Sequence, residues 1–213
     1  MRKFITLGAV FVCVLLALTG LAYANLVTNG SFEDGIGSPS SPGFATLAPD
    51  NTDITGWKVI NRAIEWINDL WPAFAGTHSL DLNGCCGPGG VVQTIPTTPG
   101  QSYTLTFYLA GNPDGPPGSK TIAVSAGATS QIFSFDITGH DYSNMGWTKE
   151  FMTFTATDVS TLLKFESTST TTDPCDCYGP ALDNVEITPE PATVGLVAVG
   201  LAGLGIIRRR KAR

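Results

Sequence analysis

The segment Tyr103-Thr104-Leu105-Thr106-Phe107-Tyr108-Leu109 decides the fold class. Apolar residues recur at every second position, which is the period of a β-strand with one buried face. Similar segments, separated by Gly, Pro, Asn and Asp, occur at 57–60, 64–67, 79–82, 90–94, 120–125, 131–136, 148–156, 161–166 and 181–187. Ten short strands predict an all-β sandwich, and both a jelly roll and an immunoglobulin-like topology fit that count. The longer stretches 33–53 and 111–119 are predicted to be loops.

The first 24 residues have the composition of a signal peptide. Arg2 and Lys3 precede an apolar run, which ends in Ala22-Tyr23-Ala24. A basic start, a short apolar run and small residues two positions apart are typical of a cleaved export signal. The sequence therefore predicts export and a mature chain that begins at Asn25.

The last 25 residues form a second targeting segment. Pro189-Glu190-Pro191 is followed by an uncharged apolar stretch at 192–207 and a basic tail at 208–213. The stretch predicts a transmembrane helix that is short for a hydrocarbon core of about 30 Å. Because basic residues favour the cytoplasmic side, residues 25–188 are expected outside the cytoplasm.

The region between the two targeting segments is strongly acidic. Residues 25–188 contain five basic and 17 acidic side chains, so their formal net charge is −12. Nucleic-acid binding needs clustered Lys and Arg, and the chain has such a cluster in its basic tail. We therefore expect no nucleic-acid partner.

The C-terminal segment resembles the PEP-CTERM sorting signal of bacterial surface proteins. The resemblance rests on Pro189-Glu190-Pro191, the apolar stretch and the arginine-rich end in that order. It implies an exosortase-type processing enzyme as a partner and a Gram-negative host that produces exopolysaccharide. Residues 25–188 would then lie in the periplasm, anchored in the inner membrane, before they reach the outer surface or extracellular matrix. A permanent single-pass anchor is the alternative.

Five motifs between the targeting segments carry a second resemblance. They are Asn25-Leu26-Val27-Thr28-Asn29-Gly30-Ser31-Phe32-Glu33, Ile54-Thr55-Gly56-Trp57, Ser79-Leu80-Asp81-Leu82, Thr98-Pro99-Gly100-Gln101-Ser102-Tyr103 and Gly179-Pro180-Ala181-Leu182-Asp183-Asn184-Val185. The series resembles the choice-of-anchor C family and related plant cell-wall proteins, which are similar to galactose-binding-like carbohydrate-binding modules. It implies a jelly-roll β-sandwich. Relatives with this fold bind sugars, other proteins or no known ligand.

The same resemblance implies a structural calcium ion. In jelly-roll relatives the chain termini lie adjacent, and an acidic residue from each end binds Ca²⁺ together with backbone carbonyls. By position Glu33 and Asp183 are the best matches, and Asn29 and Asp81 are weaker ones. The alternative is that Glu33 and Asp183 cap turns or accept hydrogen bonds from backbone amides.

Aromatic residues near polar ones suggest a sugar-binding surface. Sugar sites pair an exposed aromatic ring with side-chain amides and carboxylates. Trp66 and Trp71 are predicted to form such a platform, whereas Trp57 is predicted to lie in the core. Asn68, Asp69 and Tyr142 are the polar candidates.

Four cysteines remain once Cys13 leaves with the signal peptide. They are Cys85, Cys86, Cys175 and Cys177. An exported protein favours disulfides, and the spacings lack the two Cys-x-x-Cys pairs of a typical four-thiolate zinc site. Three pairings are possible, and we predict two links between the 85/86 loop and the 175/177 loop.

The sequence contains no recognisable catalytic motif. Its two histidines, His78 and His140, are predicted to be surface or loop residues, and neither lies in a His-Glu-x-x-His pattern. We therefore expect a non-catalytic binding module for extracellular polysaccharide. The alternatives are a structural matrix or surface-coat protein that acts through protein contacts and, less favoured, a glycosidase, whose two carboxylates sequence alone cannot locate.

Overall fold

The computed structural model describes residues 24–40, 43–84, 87–171 and 175–190. Residues 25–188 form one compact unit of β-strands. The strands are Gly43–Leu47 (β1), Lys58–Ile60 (β2), Ile64–Asn68 (β3), His78–Asp81 (β4), Gly90–Pro96 (β5), Ser102–Gly111 (β6), Ser119–Ala126 (β7), Thr129–Asp136 (β8), Thr148–Thr155 (β9), Ser160–Ser167 (β10) and Pro180–Pro189 (β11).

The strands form two sheets. One has six strands in the order β1-β3-β4-β11-β6-β9, and the other has five in the order β2-β5-β10-β7-β8. Neighbours such as β3 and β4, β6 and β9, and β5 and β10 pair antiparallel. The predicted all-β jelly-roll sandwich is therefore confirmed.

The core lies between the two sheets and explains the alternation in β6. Phe107 is fully buried, and its ring meets Phe165 of β10 and Phe133 of β8 edge-on, with centroids 5.3 and 5.1 Å apart. Edge-on contacts of this kind are favourable between aromatic rings. The alternate side chains Thr106 and Tyr108 therefore lie on the face of the six-stranded sheet that points away from the core.

We call that second face the outer face of the six-stranded sheet. Cross-strand partners share a face, so Trp66 and Leu80 lie together in the core, whereas Glu65 and Asp81 lie together on the outer face. Residues 69–77, the β3–β4 loop, cover part of it. Phe74 of this loop stacks on Tyr108 with ring centroids 3.3 Å apart.

The structure adds one strand to the ten predicted ones. β1 lies within the stretch 33–53 that the sequence predicts to be a loop, and this part of the prediction is wrong. In β1 only Leu47 is buried, so the strand has no apolar face of its own to signal it. Its antiparallel pairing with β3 supplies the stabilisation instead.

The two ends of the domain lie side by side. The Leu26 amide donates to the Ile187 carbonyl at 3.1 Å, and Asn25 Nδ2 donates to the Val185 carbonyl at 3.1 Å. This agrees with the adjacent termini that the resemblance implies.

No helix among the described residues is long and apolar enough to cross a membrane. The predicted transmembrane helix at 192–207, the basic tail at 208–213 and residues 1–23 of the signal peptide lie outside the described residues.

Candidate functional site

The two tryptophans expected to form a sugar platform are buried. Trp66 is 0% exposed and its indole N–H donates to the Phe32 carbonyl at 3.0 Å. Trp71 is 1% exposed and its indole N–H donates to Ser79 Oγ at 2.9 Å. The predicted exposure is wrong, because Trp66 occupies a core-facing position of β3 and the β3–β4 loop folds Trp71 onto the outer face. Trp57, at 3% exposure, is a core residue as predicted.

The polar residues predicted to line the sugar site do not all lie in one place. Asn68 Nδ2 donates to the Pro39 carbonyl at 2.6 Å, so this amide is used to hold the segment before β1. Asp69 follows in a left-handed conformation, with φ of 52°, and lines a surface hollow with Trp71 and Tyr142. Asp69 and Tyr142 are therefore brought together, whereas Asn68 is occupied elsewhere.

Two hollows meet at Tyr142. The Trp71 hollow, of about 430 Å³, is lined by Asp69, Leu70, Trp71, Pro72, Ala73, Gly76 and Tyr142. The His140 hollow, also of about 430 Å³, is lined by Pro113, Asp114, His140, Asp141, Tyr142 and Ser143. Together they make a depression between the loops around the outer face, and Asp69, Asp114 and Asp141 are its acidic lining residues.

Tyr142 is fixed between its neighbours. Its hydroxyl donates to Asp114 Oδ2, and its ring packs against Trp71 with centroids 5.6 Å apart. Burial and the Asp114 carboxylate raise the pKa of Tyr142 far above its usual value, so the phenol remains a hydrogen-bond donor. The carboxylates of Asp81 and Glu65 make smaller contributions to the same shift.

Glu65 is the residue that the sequence analysis missed. It is 8% exposed and lies directly opposite Asp81 on the outer face. Burial and then the neighbouring Asp81 carboxylate raise the pKa of Glu65 to about 8. The available signal was an acidic residue inside the otherwise apolar strand Ile64-Glu65-Trp66-Ile67.

Asp81 is held by three donors. The amides of Asn83 and Gly179 donate to Oδ1 at 2.9 and 3.0 Å, and Asn112 Nδ2 donates to Oδ2 at 2.8 Å. Burial raises the pKa of Asp81 to about 7, although these donors and the Lys120 ammonium act in the opposite direction. Both carboxylate oxygens of Asp81 therefore already accept hydrogen bonds from within the protein.

We expect the free energy of unfolding to fall as the pH rises from about 5 to about 8; above that value the lowered pKa of Lys120, about 8, acts in the opposite direction. Burial raises the pKa values of Glu65 to about 8 and of Asp81 and Asp183 to about 7, so the folded protein binds more protons than the unfolded chain in this window. The stabilisation is present at low pH and is lost as the pH passes through these folded-state values. Urea midpoints measured across the window check this.

The matched control for this pH dependence is Glu65→Gln, which keeps the size of the side chain and removes its titration. In this variant the urea midpoint should fall less steeply as the pH approaches 8. Glu33 and Glu166 have lowered pKa values and titrate below the window, so they do not contribute. A wild-type midpoint that rises with pH would contradict the assignment.

The predicted calcium ligands approach the same loop. Glu33 accepts hydrogen bonds from the Thr77 and His78 amides at 3.0 and 2.8 Å. Asp183 accepts one from the Ala75 amide at 2.9 Å. Gly76 lies between them with φ of 73°, and a Cβ there would meet the Glu33 carboxyl carbon at 2.4 Å. In this structure both carboxylates therefore accept backbone amides, which is the alternative weighed above.

The two weaker calcium candidates lie elsewhere. Asn29 has φ of 52°, and its side-chain amide donates to the Asp34 and Thr55 carbonyls. The Asp81 carboxylate accepts the three hydrogen bonds described above. No group of three or more His, Cys, Asp or Glu residues suited to a metal occurs within the described ranges. Calcium binding stays a prediction.

His78 is buried rather than exposed on the surface. It begins β4 at 7% exposure, and its Nε2 lies 2.8 Å from Ser38 Oγ. Its Nδ1 lies 3.2 Å from Glu33 Oε2, and its ring is 5.1 Å from that of Trp66. The surface prediction for His78 is wrong, because the network joins the segment before β1 to the start of β4. His140 does lie in a loop.

The cysteine pairing differs from the prediction. Cys175 is bonded to Cys177, with Cα atoms 5.2 Å apart, within the span that a disulfide bridges. This bond uses both cysteines of the 175/177 loop, which disagrees with the two predicted links, and Cys85 and Cys86 lie outside the described ranges. The two loops are nevertheless neighbours, because Asn83 Nδ2 donates to the Asp176 carbonyl at 3.1 Å.

A further groove of about 520 Å³ lies on the other sheet. It is lined by Asn61, Arg62, Pro88, Ala123, Glu166, Ser167 and Thr168. These lining residues include no aromatic ring, so the groove lacks the stacking surface of a sugar site.

The fold and the sorting motif together define an exported β-sandwich protein that is sorted to the cell surface. The chain belongs to the family described as Protein of unknown function (DUF642), whose model matches residues 25–188. The PEP-CTERM protein-sorting motif matches residues 188–211, which confirms the predicted signal at Pro189, Glu190 and Pro191. Pro189 is the last residue of β11, and Pro191 lies outside the described residues.

One curated relative is Halomucin of Haloquadratum walsbyi. It is 32% identical over 189 residues, which is 84% of this chain, and the chain spans 2% of the length of Halomucin. The similarity therefore concerns a small part of that protein.

Solved structures share the sandwich fold. A Stig cyclase from Fischerella sp. TAU is 17% identical with a TM-score of 0.50, over 80% of this chain and 99% of that one. An arabinose-bound α-L-arabinofuranosidase is 16% identical with a TM-score of 0.50, over 78% and 26%. The module TmCBM61, solved with β-1,4-galactotriose, is 14% identical with a TM-score of 0.46, over 78% and 99%. At these identities the similarity to the first two structures, whose TM-scores are 0.50, shows the fold alone.

Proposed function

We propose that this protein is an exported, non-catalytic binding module for extracellular polysaccharide, and that the ligand binds the outer face of the six-stranded sheet. One observation carries the proposal. Exposed aromatic rings, Phe74 at 42% and Phe151 at 65% exposure, share this face with the polar hollows at Tyr142. Sugars present apolar C–H faces that stack on such rings and hydroxyls that bond to nearby polar groups.

We name Phe74, Tyr108 and Phe151 the aromatic platform. Thr106 pairs with Phe151 and Tyr108 pairs with Lys149, so all four side chains project from the outer face. Lys149 Nζ lies 6.0 Å from the centroid of the Tyr108 ring. The platform replaces Trp66 and Trp71 as the proposed stacking surface, whereas Asp69 and Tyr142 keep their proposed roles.

Replacing Phe151 by alanine is expected to weaken polysaccharide binding roughly threefold to tenfold, the range of one lost stacking contact. Isothermal titration with a glycan identified on an array measures the change. Ile132→Ala is the matched control, because Ile132 is 67% exposed on β8 of the other sheet. Equal losses in both variants would place the ligand elsewhere.

The alternative function is a structural matrix or surface-coat protein that acts through protein contacts. The same apolar platform would serve it, since exposed apolar patches also mark protein interfaces. An array that includes exopolysaccharide from the source cells separates the two. If the protein binds no glycan on the array, with or without Ca²⁺, the structural role is favoured. Turnover of a bound glycan would favour a glycosidase.

The sorting motif supports a route to the surface. We propose that an exosortase-type enzyme removes the anchor near Pro189-Glu190-Pro191 and that the domain then resides on the outer surface or in the matrix of a Gram-negative bacterium. A mature C-terminus mapped beyond Ile207 by mass spectrometry would contradict removal.

We propose that Ca²⁺ stabilises the domain at Glu33 and Asp183. Burial and the nearby Glu33 carboxylate raise the pKa of Asp183 to about 7, although backbone amides oppose the shift, and a cation would relieve this repulsion. We therefore expect EDTA to lower the melting temperature and added Ca²⁺ to restore it. A melting temperature that EDTA leaves unchanged removes the proposal.

A further inference from the structure

The groove on the five-stranded sheet lies where the side chains of neighbouring strands are small. Glu166 of β10 lies opposite Ala123 of β7 on one side and Gly90 of β5 on the other. Neither neighbour has a long side chain, so an open channel of about 520 Å³ remains beside Glu166. Arg62, from the loop between β2 and β3, also lines this channel, which we call the Arg62 groove.

Arg62 differs from the other basic side chains between the targeting segments because it has no partner. The four lysines all have one, and the contacts are Lys58 with Asp50, Lys120 with the Gly115 and Tyr178 carbonyls, Lys149 with the Tyr108 ring and Lys164 with Glu166. Arg62 forms no hydrogen bond or ion pair with any residue that the structure describes. Its exposed guanidinium therefore keeps its N–H donors for a ligand.

The carboxylate of Glu166, in the same groove, is already neutralised. Lys164 Nζ contacts Oε2 at 2.5 Å, and Asn61 Nδ2 donates to Oε1 at 2.9 Å. Burial acts to raise the pKa of Glu166, but these two contacts outweigh it and lower the pKa, so the group is ionised at neutral pH. Because Lys164 balances this charge, the Arg62 guanidinium makes the groove locally positive in a domain that is otherwise strongly acidic.

Ser167 is an independent sign that an acceptor binds here. It lines the Arg62 groove, is 6% exposed, and accepts a hydrogen bond at Oγ from the Ser169 amide at 3.2 Å. Its own hydroxyl proton has no acceptor among the residues with described positions. A buried donor without an acceptor costs free energy, and an oxygen atom of a ligand would remove that cost.

We propose that the Arg62 groove binds the carboxylate of an acidic polysaccharide, that is, of a chain that contains uronate units. A guanidinium donates two parallel hydrogen bonds to a planar carboxylate, and the Ser167 hydroxyl is a further donor. The groove has no aromatic lining residue, so its charged group rather than ring stacking holds the sugar. This inference rests on the proposed function and adds a second subsite, on the sheet opposite the aromatic platform.

The test compares a short oligogalacturonate with its methyl-esterified counterpart by isothermal titration against the exported protein. Esterification keeps the sugar rings and their linkage and removes the negative charge. We expect the acid to bind about tenfold tighter than the ester, because the ester cannot form a charge-assisted pair with Arg62. Equal affinities for the two oligosaccharides would overturn the inference.

Variants of the basic residues locate the effect. Arg62→Ala should remove the preference for the acid, and Arg62→Lys should retain only part of it, because lysine keeps the charge but lacks the planar fork. Lys58→Ala is the matched control, since it makes the same change of net charge on β2 of the same sheet and should leave the preference unchanged. Equal losses in Arg62→Ala and Lys58→Ala would show general electrostatic attraction and overturn the inference.

Amide chemical shifts provide a second readout. The shifts that the acid causes and the ester does not should occur at Arg62, Ser167 and Thr168, which line the groove. They should be absent in Arg62→Ala, whose melting temperature should equal that of the wild-type protein because the side chain is exposed and unpaired. Acid-specific shifts confined to Phe74 and Phe151 would contradict the assignment.

Phe151→Ala separates this inference from the proposed function, because Phe151 lies on the six-stranded sheet. If Phe151→Ala weakens binding of both oligosaccharides and Arg62→Ala weakens neither, the proposed function stands and this inference is overturned. If no glycan binds in the titrations or on the array, both are overturned. A preference for the acid that depends on Arg62 and persists in Phe151→Ala supports the second subsite.

Discussion

Trp66→Ala is expected to lower the free energy of unfolding by about 3 to 5 kcal/mol. Trp66 is fully buried in the core, and its indole contacts the His78 ring and donates to the Phe32 carbonyl. The substitution leaves a cavity and a carbonyl without its donor. Since a domain is stable by roughly 5 to 15 kcal/mol, the urea midpoint should shift strongly.

Phe151→Ala is the control for this prediction. Phe151 is 65% exposed on an edge strand, so its removal should barely change the midpoint while it weakens glycan binding. Trp66→Ala protein that remains folded should, in turn, bind glycan normally. If Trp66→Ala unfolded no more easily than Phe151→Ala, the placement of Trp66 in the core would be wrong.

Asp81→Ala is expected to cost about 3 kcal/mol or more. Asp81 is fully buried, and its removal leaves the Asn83 and Gly179 amides and the Asn112 side chain without an acceptor. The nearby Lys120 ammonium, already buried, also loses a counter-charge. Chemical denaturation followed by circular dichroism measures the loss.

Asp50→Ala is a suitable comparison for Asp81→Ala. Asp50 has a side chain that is 83% exposed and contacts Lys58 on the surface, where ion pairs contribute little. We expect the denaturation midpoint of Asp50→Ala to match that of the wild-type protein. Equal midpoints for Asp81→Ala and the wild type would show that the three donors find other acceptors.

Most strands follow directly from the sequence. In β6 the buried residues Tyr103, Leu105, Phe107 and Leu109 occupy alternate positions, as the pattern predicts. β1 does not, because an edge strand with one buried residue has little apolar signal and depends on its partner β3. Apolar residues recur at every second position where one face of a strand is buried. An edge strand that is largely exposed to solvent lacks this pattern.

The site was only partly accessible from the sequence. Asp69 and Tyr142, far apart in the chain, do line one hollow, but Trp66 and Trp71 are buried and Glu65 was not foreseen. A tryptophan next to polar residues has the same sequence context whether it faces solvent or core. Its side-chain direction depends on strand register and on how the β3–β4 loop folds back.

The sequence by itself determined the destination and the class of fold. Export composition, the Pro189-Glu190-Pro191 motif and two-residue periodicity are local features, so they can be interpreted without coordinates. The tertiary structure decided which aromatic rings are exposed, which cysteines pair and which carboxylates meet. Those properties depend on contacts between residues distant in the chain, such as Glu65 with Asp81 and Tyr142 with Asp114, and strand order and loop packing create them.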